Sequence, residues 1–292
     1  MSAFGRSAMP PEESAARRRA LRFSVLTPTY QNLRFLPDAL DSTSAQSPPV
    51  EHVVVDGAST DGTRDFLKRR GGAGLKWISE PDRGQSDALN KAIHLSSGDI
   101  IGWLNADEWY LPGTIEFVRD VFNRHPSVDV VFGDYYEVDE VGGFRRLVAS
   151  HPFSRYVLRN YGCFVPSCAT FIRRSVLPDA PWNTDHRWIM DLDLWLELDQ
   201  AGARFHHIRR GLAAFRVHDL QVTSGNVVDA LPEWTSLFQK YRISATEDRR
   251  NRYRSARILH RILKVVDRGY IRELSANRRY KGRSIPRPSD PA

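Results

Sequence analysis

Short apolar runs alternate with amphipathic stretches along the first half of the chain. The runs at 23–27, 52–55, 75–79, 100–104 and 128–132 are rich in Val, Ile and Leu, as strands buried on both faces require. The stretches between them, at 35–45, 63–70, 85–95 and 114–124, carry apolar residues at helical spacing. Several close on helix-stopping residues: Pro48 and Pro49, Gly71 and Gly72, Gly98. Strands alternating with helices predict an α/β fold, a mostly parallel, doubly wound sheet flanked by helices. Ligands of such sheets bind beyond the carboxyl ends of the strands. There the chain is polar, acidic and glycine-rich: Thr27-Pro28-Thr29-Tyr30 after the first strand, residues 56–62 after the second, 80–84 after the third and Asn105-Ala106-Asp107-Glu108 after the fourth.

The second half is less regular. Residues 148–166 are aromatic and without a clear period, 169–173 reads as a strand, and 192–198 as a helix with one buried face closed by Gly202. Short strands are expected at 204–208 and 212–217, ending at His218. Residues 247–274 read as one long basic helix, and 278–292, rich in Pro and Arg, as a mobile end. No internal repeat is visible.

Composition then narrows the classes. Of 292 residues, 41% are hydrophobic, enough for a packed core. No apolar stretch approaches the roughly 20 residues that span a bilayer. Residues 1–20 form a polar leader ending in Arg17-Arg18-Arg19 and lack the apolar segment of a signal peptide, so a cytoplasmic protein is expected. The net charge of +7 is uneven. Residues 240–292 hold sixteen Lys/Arg against five Asp/Glu, a net of +11, which leaves about −4 on residues 1–239. The basic character belongs to the tail, and no nucleic-acid partner is expected. Cys163 and Cys168 fit no metal or redox spacing and read as buried free thiols.

Five motifs in order give the chain a recognisable outline: Val25-Leu26-Thr27-Pro28-Thr29-Tyr30; residues 55–63 around Asp56 and Asp61; residues 104–113 around Asn105-Ala106-Asp107; Met190-Asp191-Leu192-Asp193-Leu194-Trp195; and Arg216-Val217-His218. Together they resemble glycosyltransferase family 2 on the GT-A fold, over roughly residues 23–223. The resemblance implies an inverting, metal-dependent transferase. It would move a sugar from a nucleoside-diphosphate sugar, with uracil the implied base, to a hydroxyl of a saccharide, glycolipid or lipid-linked acceptor. It also divides the chain into a leader (1–20), a GT-A domain (nucleotide half 21–135, acceptor half 136–225) and a helical basic extension (226–292).

Residue roles follow from the same resemblance, each with a plainer structural alternative. Thr27, Pro28, Thr29 and Tyr30 would wall the base and ribose. Asp56 would accept from a base N–H, or merely cap its own turn through Ser59. Asp61 would share a role in that site or be only a helix N-cap before Gly62-Thr63. Arg83 and Asp87 open a helix whose free N–H groups favour an anion, and Asp87 and Asn90 would face the donor sugar. Asn105-Ala106-Asp107 departs from the family's aspartate-rich motif. Asp107 would ligate Mn²⁺ or Mg²⁺, and Asn105 would ligate or bind ribose, unless the segment is only a polar turn. His218 would complete the metal shell, with His206 and His207 competing on composition. Asp191 would be the catalytic base, or only a helix N-cap. Trp109, Tyr110, Trp188 and Trp195 could stack a sugar but are more often core.

Two rival functions remain at this level. A sugar-1-phosphate nucleotidyltransferase normally has a glycine-rich basic loop after the first strand, and residues 27–32 contain no glycine. An inactive nucleotide-sugar-binding homologue stays open because of Asn105. The basic C-terminal helix either packs on the domain or lies peripherally on the inner face of the membrane.

Overall fold

The structure, a computed structural model, describes residues 21–72, 74–219, 221, 227–243 and 248–287. The leader at 1–20 and residues 288–292 lie outside the described residues. Strands β1 (Phe23–Thr29), β2 (Glu51–Asp56), β3 (Leu75–Ser79) and β4 (Ile100–Trp103) form a parallel array in the order β3-β2-β1-β4. They are joined through α1 (Leu36–Ser44), α2 (Thr63–Arg70) and α3 (Gln85–Leu95). The period of two sends successive side chains to opposite faces. Leu26, Val53, Val55 and Ile101 pack on Ala88, Leu89 and Ala92 of α3. On the other face, Val25 and Ile100 meet Ala39 of α1 together with Ile115 and Val118 of α4 (Thr114–Arg124). Val54 fills the space between Leu36 and Leu40 of α1 and Leu67 of α2. Both faces are covered, which explains the continuous apolar runs in these strands.

Beyond β4 the sheet becomes mixed. It adds β5 (Trp109–Tyr110), β6 (Val130–Val138), β7 (Phe144–Val148), β8 (Thr170–Arg173) and β9 (Phe205–Arg216). β8 runs antiparallel between β4 and β6, β7 forms a hairpin with β6, and β9 lies parallel to β6 and antiparallel to β5. The segment expected as two short strands at 204–208 and 212–217 is the single strand β9. Gly211 sits at its middle because a Cβ there would meet the Tyr136 ring at 2.4 Å, and the β6 register shifts around Asp134 to accommodate it. The aromatic stretch at 148–166 contains α5 (Arg155–Asn160), followed later by α6 (Met190–Gln200) and α7 (Leu231–Lys240).

The long C-terminal helix is two helices, α8 (Asp248–Val266) and α9 (Gly269–Tyr280), broken where Arg268 takes a left-handed conformation at φ 59°. The break has an electrostatic partner. Asp267, buried at the junction, accepts from Arg209 Nε (2.8 Å) and Arg272 NH1 (2.9 Å). Arg272 also donates through Nε to the fully buried Asp134 of β6 (2.7 Å). Removing one member of such a buried pair leaves an uncompensated charge, so this network ties the extension to the sheet. Residues 278–287, expected to be mobile, instead fold back on the β6–β7 hairpin. Phe144 N–H donates to Arg283 O (2.8 Å), Ile285 N–H to Gly142 O (3.0 Å), and Ile285 is buried. Among the described residues no helix is long and apolar enough to cross a membrane.

Two enclosed histidines set an acid limit. His52 shares a hydrogen bond with Thr27 Oγ1 (2.8 Å), and burial holds its pKa down to about 3. His151 stacks on Phe164, and burial holds it down to about 4. Both rings are neutral when folded and take up protons on unfolding below the usual histidine value. A depressed base contributes stability that is complete above its unfolded pKa and is lost as pH falls toward the folded one. Between about pH 6.5 and 4, these two groups are expected to lower the unfolding free energy by about 2–3 kcal/mol per pH unit. Urea titrations at stepped pH measure that slope. His52→Gln should roughly halve it, and an unaltered slope would remove His52 from the account.

Candidate functional site

The carboxyl ends of β1, β2 and β4 open on a cavity of about 640 Å³. Its walls include Pro28, Thr29 and Tyr30 after β1, Gly57 after β2, residues 83–86 at the start of α3, and Asn105, Ala106 and Asp107 after β4. His218 and Gln221, beyond β9, close the far side. Arg83 is an exposed rim residue whose guanidinium lies 3.6 Å from Asp87.

A buried clasp shapes the turn after β4. Glu108 is fully enclosed and accepts from the Asn105 backbone N–H (2.8 Å) and side-chain amide (3.2 Å). Burial, reinforced by the neighbouring Asp107 charge, pushes the Glu108 pKa up to about 8. Asn105 Oδ1 in turn accepts from Gln85 Nε2 (2.6 Å) and Trp103 Nε1 (2.8 Å). Both acceptor positions of that oxygen are therefore occupied, and Asn105 acts here as a brace. Asp107 is left facing the cavity, with Oδ2 2.9 Å from His218 Nε2 and 3.2 Å from Gln221 Nε2.

The arm that delivers His218 is fixed by Arg216. This arginine is almost fully buried, lies over the Phe35 and Trp109 rings at 4.4 and 4.8 Å, and pairs with Asp38 of α1 at 2.5 Å. His218 itself packs on Phe35 at 4.8 Å. Among the described residues no three His, Cys, Asp or Glu side chains are grouped to hold a metal. Asp107 and His218 are in hydrogen-bond contact, at a spacing that two neighbouring ligands of one ion also have. Bonds of about 2.1 Å at right angles put two ligand atoms about 3.0 Å apart, close to the 2.9 Å found.

Other expected site residues fall outside this cavity. Thr27 is buried against His52. Asp56 is fully buried, accepting from Ser59 N–H (3.2 Å), the Ser59 hydroxyl and Ser79 Oγ (2.7 Å). Asp61 accepts from Thr63 N–H (3.1 Å) and Leu33 N–H (2.9 Å); the N-cap of α2 is Gly62 rather than Asp61. Asp87 turns toward Arg83 and Lys91. Asn90 is committed to the Trp182 backbone through both side-chain ends. His206 packs on His125, and His207 is buried between Asp134 and Asp267. Trp109, Tyr110 and Trp195 are core, and Trp188 packs against it.

Asp191 lies in an adjoining cavity of about 330 Å³. Its walls include Tyr135, Tyr161, Phe164 and Cys163, with His260 and Lys264 contributed by α8, and Phe215 borders both cavities. Cys163, expected to be buried, is exposed, whereas Cys168 is buried. α6 begins at Met190, so Asp191 sits in its first turn rather than at the N-cap. Glu233 of α7 instead accepts from the N–H groups of Arg187 (2.8 Å), Trp188 (2.8 Å) and Ile189 (3.2 Å).

Two residues apart, Asp191 and Asp193 have opposite surroundings. Burial raises the Asp191 pKa, only partly offset by the Leu192 N–H (2.7 Å) and the Cys163 thiol (3.4 Å). Burial also acts on Asp193, but contacts from His186 (2.9 Å), Lys240 (2.7 Å) and Tyr241 (2.6 Å) outweigh it and hold its pKa at about 2. His186 was not anticipated from sequence. It lines the larger cavity, Asp193 holds its Nδ1, and its buried Nε2 has no hydrogen-bond partner among the described residues. Its only sequence signal was a position five residues before Asp191.

Asn105→Ala removes the acceptor of Trp103 Nε1 and one donor to buried Glu108. A loss of about 1–3 kcal/mol is expected from groups left unpaired, measured as a lowered denaturation midpoint. An unchanged midpoint would mean that the clasp does not hold the turn.

The sequence model for glycosyl transferase family 2 matches residues 24–179, more than half of the chain. An uncharacterised glycosyltransferase of Nostoc sp. is 27% identical over 169 residues, covering 54% of this chain and 52% of that protein. One from Rickettsia typhi is 25% identical over 233 residues, covering 75% and 70%. The chain thus spans about half the length of the Nostoc relative. Among solved structures, Staphylococcus aureus TarS 1–349 in complex with UDP-GlcNAc superposes with a TM-score of 0.62 at 18% identity, covering 80% of this chain and 70% of that one. The mannosyltransferase PcManGT of Pyrobaculum calidifontis, in complex with GDP-Man and Mn²⁺, superposes at 0.55 with 20% identity, covering 82% and 69%. These likenesses identify the sheet and its flanking helices as the GT-A fold. Because the family match runs from β1 past β8 and takes in more than half of the chain, the chain belongs to glycosyltransferase family 2.

Proposed function

We propose that the protein transfers a sugar, with inversion, from a nucleoside-diphosphate sugar in the larger cavity to an acceptor hydroxyl in the smaller one. The observation that carries this reading is the pairing of the two cavities. One has the Asp107–His218 pair beside a helix N-terminus, the other a carboxyl of raised pKa, and they share the wall at Phe215. The ligands of the two structural neighbours, a UDP sugar and a GDP sugar with Mn²⁺, support a nucleotide-sugar donor without choosing the base.

In this reading Pro28, Thr29, Tyr30, Ala106 and Asn105 wall the nucleotide, and Thr27 and Asp56 hold its floor from within. Asp56 reaches the base N–H when the Ser59 or Ser79 hydroxyl, both able to rotate, gives way. Arg83, freed from Asp87, balances the phosphates at the start of α3. Asp107 and His218 would hold Mn²⁺ or Mg²⁺, and an imidazole ligand favours Mn²⁺. Such an ion would stabilise the charge on the departing diphosphate. His186, oriented by Asp193, presents Nε2 to the donor.

Asp191 takes the proton from the acceptor hydroxyl as the hydroxyl oxygen bonds to the anomeric carbon. The bond from that carbon to the phosphate oxygen breaks on the opposite face, and the nucleoside diphosphate leaves. A carboxylate removed from water is a stronger base, so the raised pKa of Asp191 suits the task.

Release of nucleoside diphosphate from a panel of nucleoside-diphosphate sugars with Mn²⁺ tests the reading. Asp191→Asn should lower transfer by about a hundredfold or more while leaving nucleotide-induced thermal shifts intact. Equal rates in both proteins would exclude Asp191 as the base. Pyrophosphate release from a nucleoside triphosphate and sugar phosphate would instead favour a nucleotidyltransferase. His186→Ala should raise the KM for the donor about tenfold, the loss of roughly one charge-assisted hydrogen bond. No change in donor KM would return His186 to a packing role.

A further inference from the structure

Helix α8 carries three stripes. One faces inward: Ala256 is fully buried, and His260 and Lys264 wall the Asp191 cavity. On the opposite side Ile258, Ile262, Val265 and Val266 are each more than half exposed. At 3.6 residues per turn these four fall within about 100° of the helix circumference. Ile271 and Leu274 of α9, also more than half exposed, extend the patch. The third stripe runs along its edge, where Arg254, Arg257 and Arg261 are exposed and none has a carboxylate within ion-pairing reach among the described residues.

Aliphatic side chains left in water beside unpaired cations match an anionic lipid surface in two ways. The branched chains enter the acyl boundary while the guanidiniums meet lipid phosphates. An acidic protein partner would satisfy the arginines but not the aliphatic stripe. A second copy of this face would bring like charges together. We propose that the α8–α9 face docks on an anionic bilayer, and that the hydroxyl entering the Asp191 cavity belongs to a lipid-borne saccharide. The second clause rests on the glycosyl-transfer reading and the first does not. The link between them is positional: one helix, about 10 Å across with its side chains, separates the acceptor cavity from the docking face. A glycolipid headgroup standing off the bilayer reaches that cavity without its lipid leaving the membrane.

Deleting the extension would also strip Arg272 from buried Asp134, so exposed substitutions are the cleaner test. Sedimentation with phosphatidylglycerol–phosphatidylcholine vesicles is expected to carry the full chain down, with loss of binding on pure phosphatidylcholine and weakening at high salt. The triple variant Arg254→Gln/Arg257→Gln/Arg261→Gln should reduce partitioning on the order of a hundredfold. Ile262→Asp should reduce it as well, and neither should lower the thermal midpoint. Failure of the wild type to bind, or binding indifferent to both variants, overturns the docking face. So does light scattering that shows a dimer broken by Ile262→Asp with vesicle binding unchanged. Donor turnover measured in parallel without vesicles separates the two readings. Turnover without vesicle binding refutes the membrane face alone, and vesicle binding without turnover refutes the transferase mechanism while the face stands.

Discussion

The larger cavity depends on a carboxyl group that never reaches it. Glu108 is sealed beneath the turn after β4 and holds Asn105 by its backbone and its side chain. A turn in this position would otherwise leave polar groups unpaired at the edge of a hydrophobic core, at a cost of a few kcal/mol. With Asn105 held from below and braced by Gln85 and Trp103, Asp107 is the acid left to face outward. The raised pKa of Glu108 also favours its neutral form near Asp107, so the two adjacent acids need not both be charged at neutral pH. The family's aspartate-rich motif has here become a division of labour, with a brace, a buried clamp and one ligand candidate that faces the cavity.

A second constraint ties the basic extension to the catalytic half. Arg272 reaches the buried Asp134 of β6 and the buried Asp267 of the α8–α9 junction. Both carboxylates depend on cations from elsewhere in the chain, so the extension is part of the same folding unit as the sheet. That dependence sets α8 in place as a wall of the smaller cavity. It also fixes which face of the helix is turned away from the protein.

The parallel half of the sheet was legible because its physics is local. Val53, Val54 and Val55 in succession can only be a strand covered on both sides, and the glycines and prolines after each helix marked its end. The position of Asn105 and Asp107 at one rim followed from the alternation of strands and helices, whereas His218 was implied only by the family resemblance. What sequence could not show depended on contacts distant along the chain. The expectation of two short strands at 204–208 and 212–217 left out residues 209–211, which the structure places inside β9, where Gly211 makes room for Tyr136. The single long helix was expected because the apolar spacing runs on through 247–274 and overrode the one local signal of a break, Gly269, where a Cβ would meet Lys264 at 2.6 Å. His186 was invisible because its meaning comes from Asp193 on one side and an open cavity on the other. Asp191 and Asp193 look equivalent in sequence, and only the enclosing groups push their proton affinities in opposite directions.

Phe215, near the end of β9, has one ring bordering two chambers. Any displacement of that ring on filling one chamber alters the free energy of filling the other, and the effect is equal whichever fills first. The strand that carries it also leads, through Arg216, to His218. The two chambers thus share one structural element, the stretch of strand that leads to His218.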